Sequence, residues 1–174
     1  MKYDTGVNAA TADNQTPPLG TQTGPNRWLD AEEQEAWRAL IKVVARLPVE
    51  LDRQLQRDGG MSHFEYMVLA GLSEAPDQTL RMSQLAQFAE GQLPRLSQVA
   101  ARLEQRGWLV RRGDPSDGRS ILATLTEAGL AVVVATAPGH VAAVRERVFD
   151  QLNRAQVRQL HEICRRIGTH LRIC

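Results

Sequence analysis

The side chains with the most distinctive chemistry lie in two short segments, 94–102 and 117–119. Arg95, Ser97 and Gln98 are grouped at the start of a helix that is predicted to begin at Pro94, a residue suited to a first helical turn. Arg pairs with guanine through two hydrogen bonds, Gln pairs similarly with adenine, and Ser bonds a base edge or a phosphate. These residue types at the start of one helix predict contact with duplex DNA.

A second group of this kind lies in the turn-forming segment 114–118 and just after it. Arg119 follows this turn, and an Arg on a projecting turn can enter the minor groove, where negative potential is concentrated. Asp117 would repel phosphate by itself. We therefore predict that Asp117 holds Arg119 in position by a charge-assisted hydrogen bond.

The elements around these residues predict a helix-turn-helix. A short helix over 83–89 ends near Gly91, and the next helix runs from Pro94 to Gly107. The apolar side of the second helix consists of Leu96, Val99, Ala100 and Leu103. Its other side, which includes the small Ala101 and the basic Arg102, is therefore available to a major groove.

A hairpin follows the second helix, with one strand over 108–113 and a returning strand over 120–125. Arg111 and Arg112 are adjacent, so the alternation of a strand sends them to opposite faces. At most one of these two arginines can therefore contact DNA, and we predict that it is Arg112.

Amphipathic helices flank this central part on both sides. Asp30 caps a first helix that Pro48 should kink or split, and Ser62 with Glu65 forms a capping box for a second helix. After the hairpin, Thr126 caps a long helix that should bend at Pro138. Asn153 and Gln156 form the capping box of a last helix, whose apolar stripe is Val157, Leu160, Ile163, Ile167 and Leu171.

Composition excludes several other classes of protein. The net charge is +1, but residues 81–120 carry seven basic and four acidic side chains, a pattern that suits a polyanion. The sequence has no run of eighteen apolar residues and no secretory signal, so we expect no membrane partner and a cytoplasmic location.

It has no nucleophile–base pair, no phosphate loop and no metal-ligand cluster, so we expect no enzyme, no cofactor and no metal. His161 and Cys164 are i, i+3 neighbours, but two ligands are too few for zinc.

Four segments together resemble the MarR (multiple antibiotic resistance regulator) family. They are 82–86 (MSQLA), 103–107 (LEQRG), 111–120 (RRGDPSDGRS) and 125–129 (LTEAG). The family has an Asp-x-Arg core in its wing, then a strand, then Leu-Thr-x-x-Gly. Two features depart from the family pattern: Gly118 stands where the family often has a second Arg, and Leu93 with Pro94 opens the recognition helix.

The resemblance implies a mainly α fold: a winged helix-turn-helix with about six helices and a β-hairpin wing, dimeric through its N- and C-terminal helices. Residues 1–26 are predicted to be a disordered tail, 27–58 and 127–174 a helical dimerisation region, and 59–126 the DNA-binding region. The predicted DNA contacts are Ser83, Gln84, Pro94, Arg95, Ser97, Gln98, Arg102, Arg112, Asp117 and Arg119. The predicted dimer contacts are Val148, Phe149, Leu152, Leu160, Ile163, Ile167 and Leu171.

The expected function is a transcriptional regulator, a repressor that binds a near-palindromic operator as a homodimer. The resemblance also implies release of the DNA by a small phenolic or aromatic effector in a cleft between the dimer arms and the recognition helices. The candidate ligand residues are Trp28, Trp37, His63, Tyr66 and His140. Two alternatives stay open: a winged-helix protein-interaction module, and a redox-responsive regulator that uses Cys164 and Cys174.

Overall fold

The computed structural model describes residues 28–171, which contain six α-helices and three β-strands. The helices are α1 (Ala31–Gly59), α2 (His63–Glu74), α3 (Met82–Phe88), α4 (Leu93–Gln105), α5 (Glu127–Arg147) and α6 (Arg154–Leu171). The strands are β1 (Thr79–Arg81), β2 (Leu109–Asp114) and β3 (Asp117–Leu125). Short 3-10 turns cover Pro76–Gln78 and Phe149–Gln151. The predicted fold class, mainly helical with six helices and a hairpin wing, is confirmed.

The described chain divides into two units, 28–43 and 44–171. In the first unit, the Asp30 carboxylate accepts the N–H of Glu33 at 2.8 Å, and the Glu33 carboxylate accepts the N–H of Asp30 at 3.0 Å. This reciprocal cap confirms the predicted helix start. The tail predicted over 1–26 lies outside the described residues.

Pro48 does not divide α1, which runs from Ala31 to Gly59 without interruption. The predicted split is therefore wrong. Proline removes one main-chain hydrogen bond from a helix, and the turns on either side of Pro48 continue the helical path despite that loss. Pro138 likewise lies inside the uninterrupted helix α5, and the kink at Pro48 and the bend at Pro138 stay predictions.

The core of the second unit forms where α2, α3 and α4 meet the sheet. Its fully buried side chains come from these elements, from the end of α1 and from the turn after α1, and they include Leu55, Met61, Val68, Leu69, Leu72, Leu85, Leu96, Ala100, Leu103, Leu109 and Ala123. The apolar side predicted for α4 is buried as expected. This packing fixes the direction in which the opposite side of α4 points.

The sheet has three antiparallel strands in the order β1-β3-β2. The predicted hairpin supplies β2 and β3, and its loop is shorter than expected, since Pro115 and Ser116 alone separate the strands. Strand β1 was not predicted. It pairs Thr79 with Thr124 and Arg81 with Leu122, which ties the start of α3 to the wing.

Helix α5 continues from the wing into the helical part of the second unit. The Thr126 hydroxyl accepts the N–H of Gly129 at 3.0 Å and donates to the carbonyl of Gly107 at 2.7 Å, which confirms the predicted cap. With the turn that follows it, α5 is long and apolar enough to cross a membrane by length and composition. Even so, Gly129, Val133 and Thr136 are buried inside the fold.

Candidate nucleic-acid interface

Helix α4 presents its first two turns to solvent. Pro94, Arg95 and Gln98 are exposed, and Ser97 is half-buried, while Leu96 and Val99 between them are buried in the core. The turn before α4 is held by the Gly91 N–H, which donates to the carbonyl of Ala86 at 2.9 Å. The predicted exposed face of the recognition helix is therefore present, and its contacts with bases stay a prediction.

Gly91 is required in this turn by packing. A Cβ atom at position 91 would lie 2.5 Å from Cζ of Phe64, a distance that real side chains do not tolerate. The preceding residue, Glu90, adopts a positive φ of 49°. The angle between α3 and α4 thus depends on one aromatic ring of α2 and on the absence of a side chain opposite it.

Arg95 is directed toward that same ring. Its guanidinium carbon lies 4.3 Å from the centre of the Phe64 ring, which is a cation–π contact. A cleft of about 610 Å³ opens beside it, lined by Pro48, Val49, Asp52, Ser62, His63, Phe64, Met67, Phe88, Ala89, Glu90 and Arg95. Arg95 therefore belongs both to the exposed turn of α4 and to the wall of a cleft.

The tip of the wing is organised by Asp114, whose side chain is 6% exposed. One of its oxygens accepts the N–H and the hydroxyl of Ser116 at 2.8 and 2.7 Å, and the other accepts Nε of Arg81 at 2.9 Å. The bonds from Ser116, and then the Arg81 guanidinium, hold the pKa of Asp114 below its usual value. Arg81 thereby ties the wing tip to the start of α3.

Asp117 holds Arg119 by a charge-assisted hydrogen bond, as predicted, and this bond goes to the main chain of Arg119. Its carboxylate accepts the main-chain N–H of Arg119 at 3.1 Å and the hydroxyl of Ser120 at 2.7 Å. These bonds close the start of β3 and lower the pKa of Asp117. Within residues 28–171, no carboxylate pairs with the exposed Arg119 guanidinium.

Two other arginines have carboxylate partners. Nε of Arg102 lies 3.3 Å from the buried Glu65 and joins α4 to α2, and the predicted DNA contact of Arg102 stays a prediction. Arg111 donates from Nε and Nη2 to Glu104 at 3.0 and 2.7 Å, which fastens β2 to α4. Its neighbour Arg112 is exposed, as the alternation of the strand predicted.

The remaining predicted DNA residues lie at the start of α3. Ser83 and Gln84 are both exposed, and the side-chain oxygen of Gln84 accepts the N–H of Arg81 at 3.1 Å. The prediction missed the roles of Arg81 and Asp114. The Asp-Pro-Ser sequence at 114–116 is a turn signature that could have identified Asp114 as a cap.

Three of the five candidate ligand residues are close together. His140 of α5 lies 5.8 Å from His63 and 4.6 Å from Tyr66, measured between ring centres, and its Nδ1 lies 3.2 Å from Oε1 of Gln54. Burial lowers the pKa of both histidines, and in His140 the charge of His63 lowers it further. Of these three rings, His63 alone lines the large cleft. Trp28 and Trp37 are exposed residues of the N-terminal unit.

The predicted dimer residues leave an apolar stripe uncovered on α6. Leu160, Ile163, Ile167 and Leu171 are all exposed, with Ile163 at 54% and Leu171 at 61%. Phe149 is also exposed, and Val148 and Leu152 are half-buried.

Cys164 is an exposed free thiol, and Cys174 lies outside the described residues. Among residues 28–171, no group of three or more His, Cys, Asp and Glu side chains is placed to hold a metal ion.

Comparison with known proteins relates the chain to transcriptional regulators. A family model described as MarR family matches residues 60–120. Sco3205, a MarR family transcriptional regulator from Streptomyces coelicolor crystallised in complex with DNA, is 49% identical, with a TM-score of 0.82 over 84% of this chain and 91% of that one. AbsC, another MarR family regulator from the same organism, is 36% identical, with a TM-score of 0.80 over 84% of this chain and 99% of that one.

A curated relative matches over a shorter length. The HTH-type transcriptional regulator YxaD of Bacillus subtilis is 34% identical over 89 residues. This alignment covers 51% of the chain and 61% of YxaD, so the chain spans less than two thirds of that relative.

Proposed function

This chain belongs to the MarR family of transcriptional regulators, and from that premise we propose that it binds duplex DNA through α4 and the β2–β3 wing. In this proposal α4 enters a major groove with its N-terminal turns foremost, and Arg119 reaches the adjacent minor groove. The base contacts come from Arg95 and Gln98, whose side chains suit guanine and adenine.

The observation that carries this proposal is a cavity shared by α4 and the wing. Ser97 of α4 and Arg119 of the wing line the same cavity of about 180 Å³. The two elements therefore flank one surface, as a protein that contacts neighbouring grooves requires.

We propose that two chains bind together to a near-palindromic site. The exposed stripe of α6 and the exposed apolar residues of α1, among them Trp37, Leu40 and Ile41, supply apolar surface for a second copy. Two-fold symmetry of the protein implies a two-fold symmetric operator, with half-sites about one helical turn of DNA apart. A dimer that covers promoter DNA blocks the polymerase, so repression is the expected outcome.

We also propose that a small aromatic effector binds in the cleft that Arg95 shares. Phe64, Met67 and Phe88 give this cleft an apolar wall, and its volume of about 610 Å³ suits a small molecule. An occupant that draws the Arg95 guanidinium into the cleft removes it from the DNA, which couples effector binding to release.

The first experiment is a fluorescence anisotropy titration against the DNA upstream of the protein's own gene. The wild type is compared with Arg95→Ala/Arg119→Ala and with the charge-matched control Arg53→Ala/Arg145→Ala, whose two arginines pair with Glu50 and Asp150 away from the wing. We expect saturable binding that resists competitor DNA, a loss of at least about tenfold in the first variant, and little change in the control.

If that duplex is not bound, selection from randomised DNA replaces it. The proposal would be contradicted if all three proteins bound every selected duplex with the same affinity and if competitor DNA removed that binding. Effector binding is tested by adding aromatic carboxylic acids to the preformed complex and measuring the anisotropy that is lost.

A further inference from the structure

The cavity between α4 and the wing contains a group of polar side chains that the proposed base contacts do not explain, beside the apolar Met82, Leu93 and Ile121. Three arginines, Arg81, Arg111 and Arg119, line it together with three serines, Ser83, Ser97 and Ser120. These residues come from β1, α3, α4, β2 and β3, so the folded domain alone brings them together. At about 180 Å³ the cavity is much smaller than the cleft beside Arg95 and suits one small polar group.

Two of the three arginines form ion pairs with carboxylates, which compensate their charge. Arg81 directs Nε and Nη2 at Asp114, and Arg111 directs Nε and Nη2 at Glu104. In each of them Nη1 is not used in these bonds. Neither partner carboxylate lines the cavity, and neither does Asp117, whose oxygens are held by Ser120 and by the main chain of Arg119.

The lining therefore offers many N–H and O–H donors but little uncompensated charge. Arg119 is the lining arginine that has no carboxylate partner among residues 28–171. The Nη1 groups of the other two arginines and the hydroxyls of Ser83 and Ser97 add hydrogen-bond donors, whereas the Ser120 hydroxyl is used by Asp117. A phosphodiester carries one negative charge and two acceptor oxygens, and it matches this lining in both respects.

The position of the cavity favours the same ligand. In a duplex, one sugar-phosphate backbone separates each major groove from the neighbouring minor groove. If α4 lies in the first groove and the wing in the second, that backbone passes between them, over this cavity. We propose that the cavity is the seat of one backbone phosphate in each half-site, bound by Arg119, Ser83 and Ser97 with Arg81 and Arg111 held in place by Asp114 and Glu104.

This inference rests on the proposed DNA binding and changes the role of one residue within it. Ser97 was predicted to contact bases, whereas in the seat it bonds a phosphate and carries no sequence information. Ser97→Ala should therefore weaken binding to specific and unrelated duplexes by the same factor. If Ser97→Ala instead weakens binding to the specific duplex more than to unrelated duplexes and alters the preference at one base pair, Ser97 contacts a base. That result would overturn its place in the seat.

The deciding experiment replaces single phosphates of a bound duplex with neutral methylphosphonates, one linkage at a time. The wild type is compared with Ser83→Ala/Ser97→Ala and with Ser73→Ala, a control on α2 that does not line the cavity. We expect one linkage per half-site at which the wild type and Ser73→Ala lose about tenfold in affinity. The double variant should bind unmodified DNA more weakly than the wild type does. A methylphosphonate at that linkage should lower its affinity little further, because the variant has already lost the contact with that phosphate.

The other outcomes separate the two levels of the proposal. Equal losses at every linkage in the wild type and the double variant would overturn the phosphate seat while leaving DNA binding intact. Failure of the wild type to bind any duplex would instead remove the proposed function. A further arm compares inorganic phosphate with chloride at equal ionic strength. If phosphate weakens DNA binding by the wild type more than by the double variant, it competes with the backbone for the seat, as we expect. Equal weakening of both proteins would contradict a phosphate seat.

Discussion

The arginines around the DNA-facing surface differ in how many of their donors are already bound by carboxylates. Arg102 and Arg111 hold Glu65 and Glu104, and Arg81 holds Asp114. Arg119 has no such partner within residues 28–171, and Arg95 rests on an aromatic ring. The carboxylate offsets the charge of a paired arginine, so we expect the unpaired ones to supply most of the net attraction for DNA.

We expect Asp114→Asn to loosen the wing without unfolding the protein. The variant keeps the shape of the side chain but loses the charge that binds Arg81 and the strong acceptor for Ser116. Amide hydrogen exchange should speed up across β2, β3 and their loop, while α2 and α4 stay protected. DNA affinity should fall several-fold because the wing is no longer held at one angle.

The matched variant for this test is Asp150→Asn, which removes an exposed carboxylate paired with Arg145. Its wing exchange and its DNA affinity should equal those of the wild type. Unchanged exchange in Asp114→Asn would show that the ion pair with Arg81 does not hold the wing.

At the level of secondary structure, the junction between the wing and α5 is the most constrained contact. The Thr126 N–H donates to the carbonyl of Trp108 at 3.1 Å, and the first turn of α5 packs directly on that peptide. Gly129 is buried there, and a Cβ at this position would collide with the carbonyl oxygen of Trp108.

Gly129→Ala should therefore destabilise the fold by about 2–3 kcal/mol and lower Tm by about 5–10 °C. Gly118→Ala is the control, because a Cβ at position 118 meets nothing within 4 Å. Thermal unfolding of both variants at one protein concentration measures the difference. Equal Tm values for the two variants would contradict the close packing of α5 on Trp108.

The helices α1, α2 and α5 meet at the histidine pair. Gln54 donates to Asp58 at 2.7 Å through Nε2, so its oxygen faces His140 and accepts a hydrogen bond from Nδ1–H. The structure therefore favours a neutral His140 that carries its hydrogen on Nδ1. The pKa of both histidines is below the ordinary value of 6.5, because burial disfavours the charged form.

This arrangement predicts a loss of stability in acid. The unfolded chain takes up protons on these histidines as pH falls below about 6.5, whereas the fold resists them, so stability is full above that pH and declines below it. Glu65 and Asp114 have lowered pKa values and stay ionised in this range. Tm should drop between about pH 7.5 and about pH 5.

His140→Asn separates the histidines from other groups, since Asn keeps a donor for Gln54 but does not titrate. The Tm of this variant should depend less on pH, and His161→Asn, on the exposed surface of α6, should behave as the wild type does. Identical pH profiles for the wild type and His140→Asn would exclude the histidine pair as the cause.

At the scale of the whole molecule, helix α6 leaves an apolar stripe exposed. A stripe of this kind is stable in water when a second apolar surface covers it. Light scattering should therefore give twice the 19.3 kDa mass of one chain.

Ile163→Glu/Ile167→Glu should convert the protein to single chains, because four carboxylates would be buried at the interface of two copies. DNA affinity should fall by more than about tenfold, since one recognition helix no longer binds with the other. Thr169→Glu is the control, because helical spacing places this exposed residue on the side of α6 opposite Leu160 and Ile167. A variant that keeps the dimer mass would show that α6 is not the interface.

Local patterns in the sequence determined most of the elements of this protein. The caps at Asp30, Ser62, Thr126 and Asn153 involve residues three positions apart, so they are visible before any folding. The apolar side of α4 follows from helical periodicity in the same way. Strand β1 escaped prediction because three residues are too few to show alternation, and its pairing with β3 lies more than forty positions away.

The sequence by itself placed the right residue types, Arg, Ser and Gln, on the recognition helix and the wing. Tertiary structure alone decided which arginines remain available, because their partners are distant in the chain. Arg81 and Asp114 are 33 positions apart, and Arg102 and Glu65 are 37 positions apart. An arginine is used in an internal ion pair only if folding brings a carboxylate within bonding distance, and otherwise it stays available to a ligand. The spacing of residues along the chain does not encode that distance.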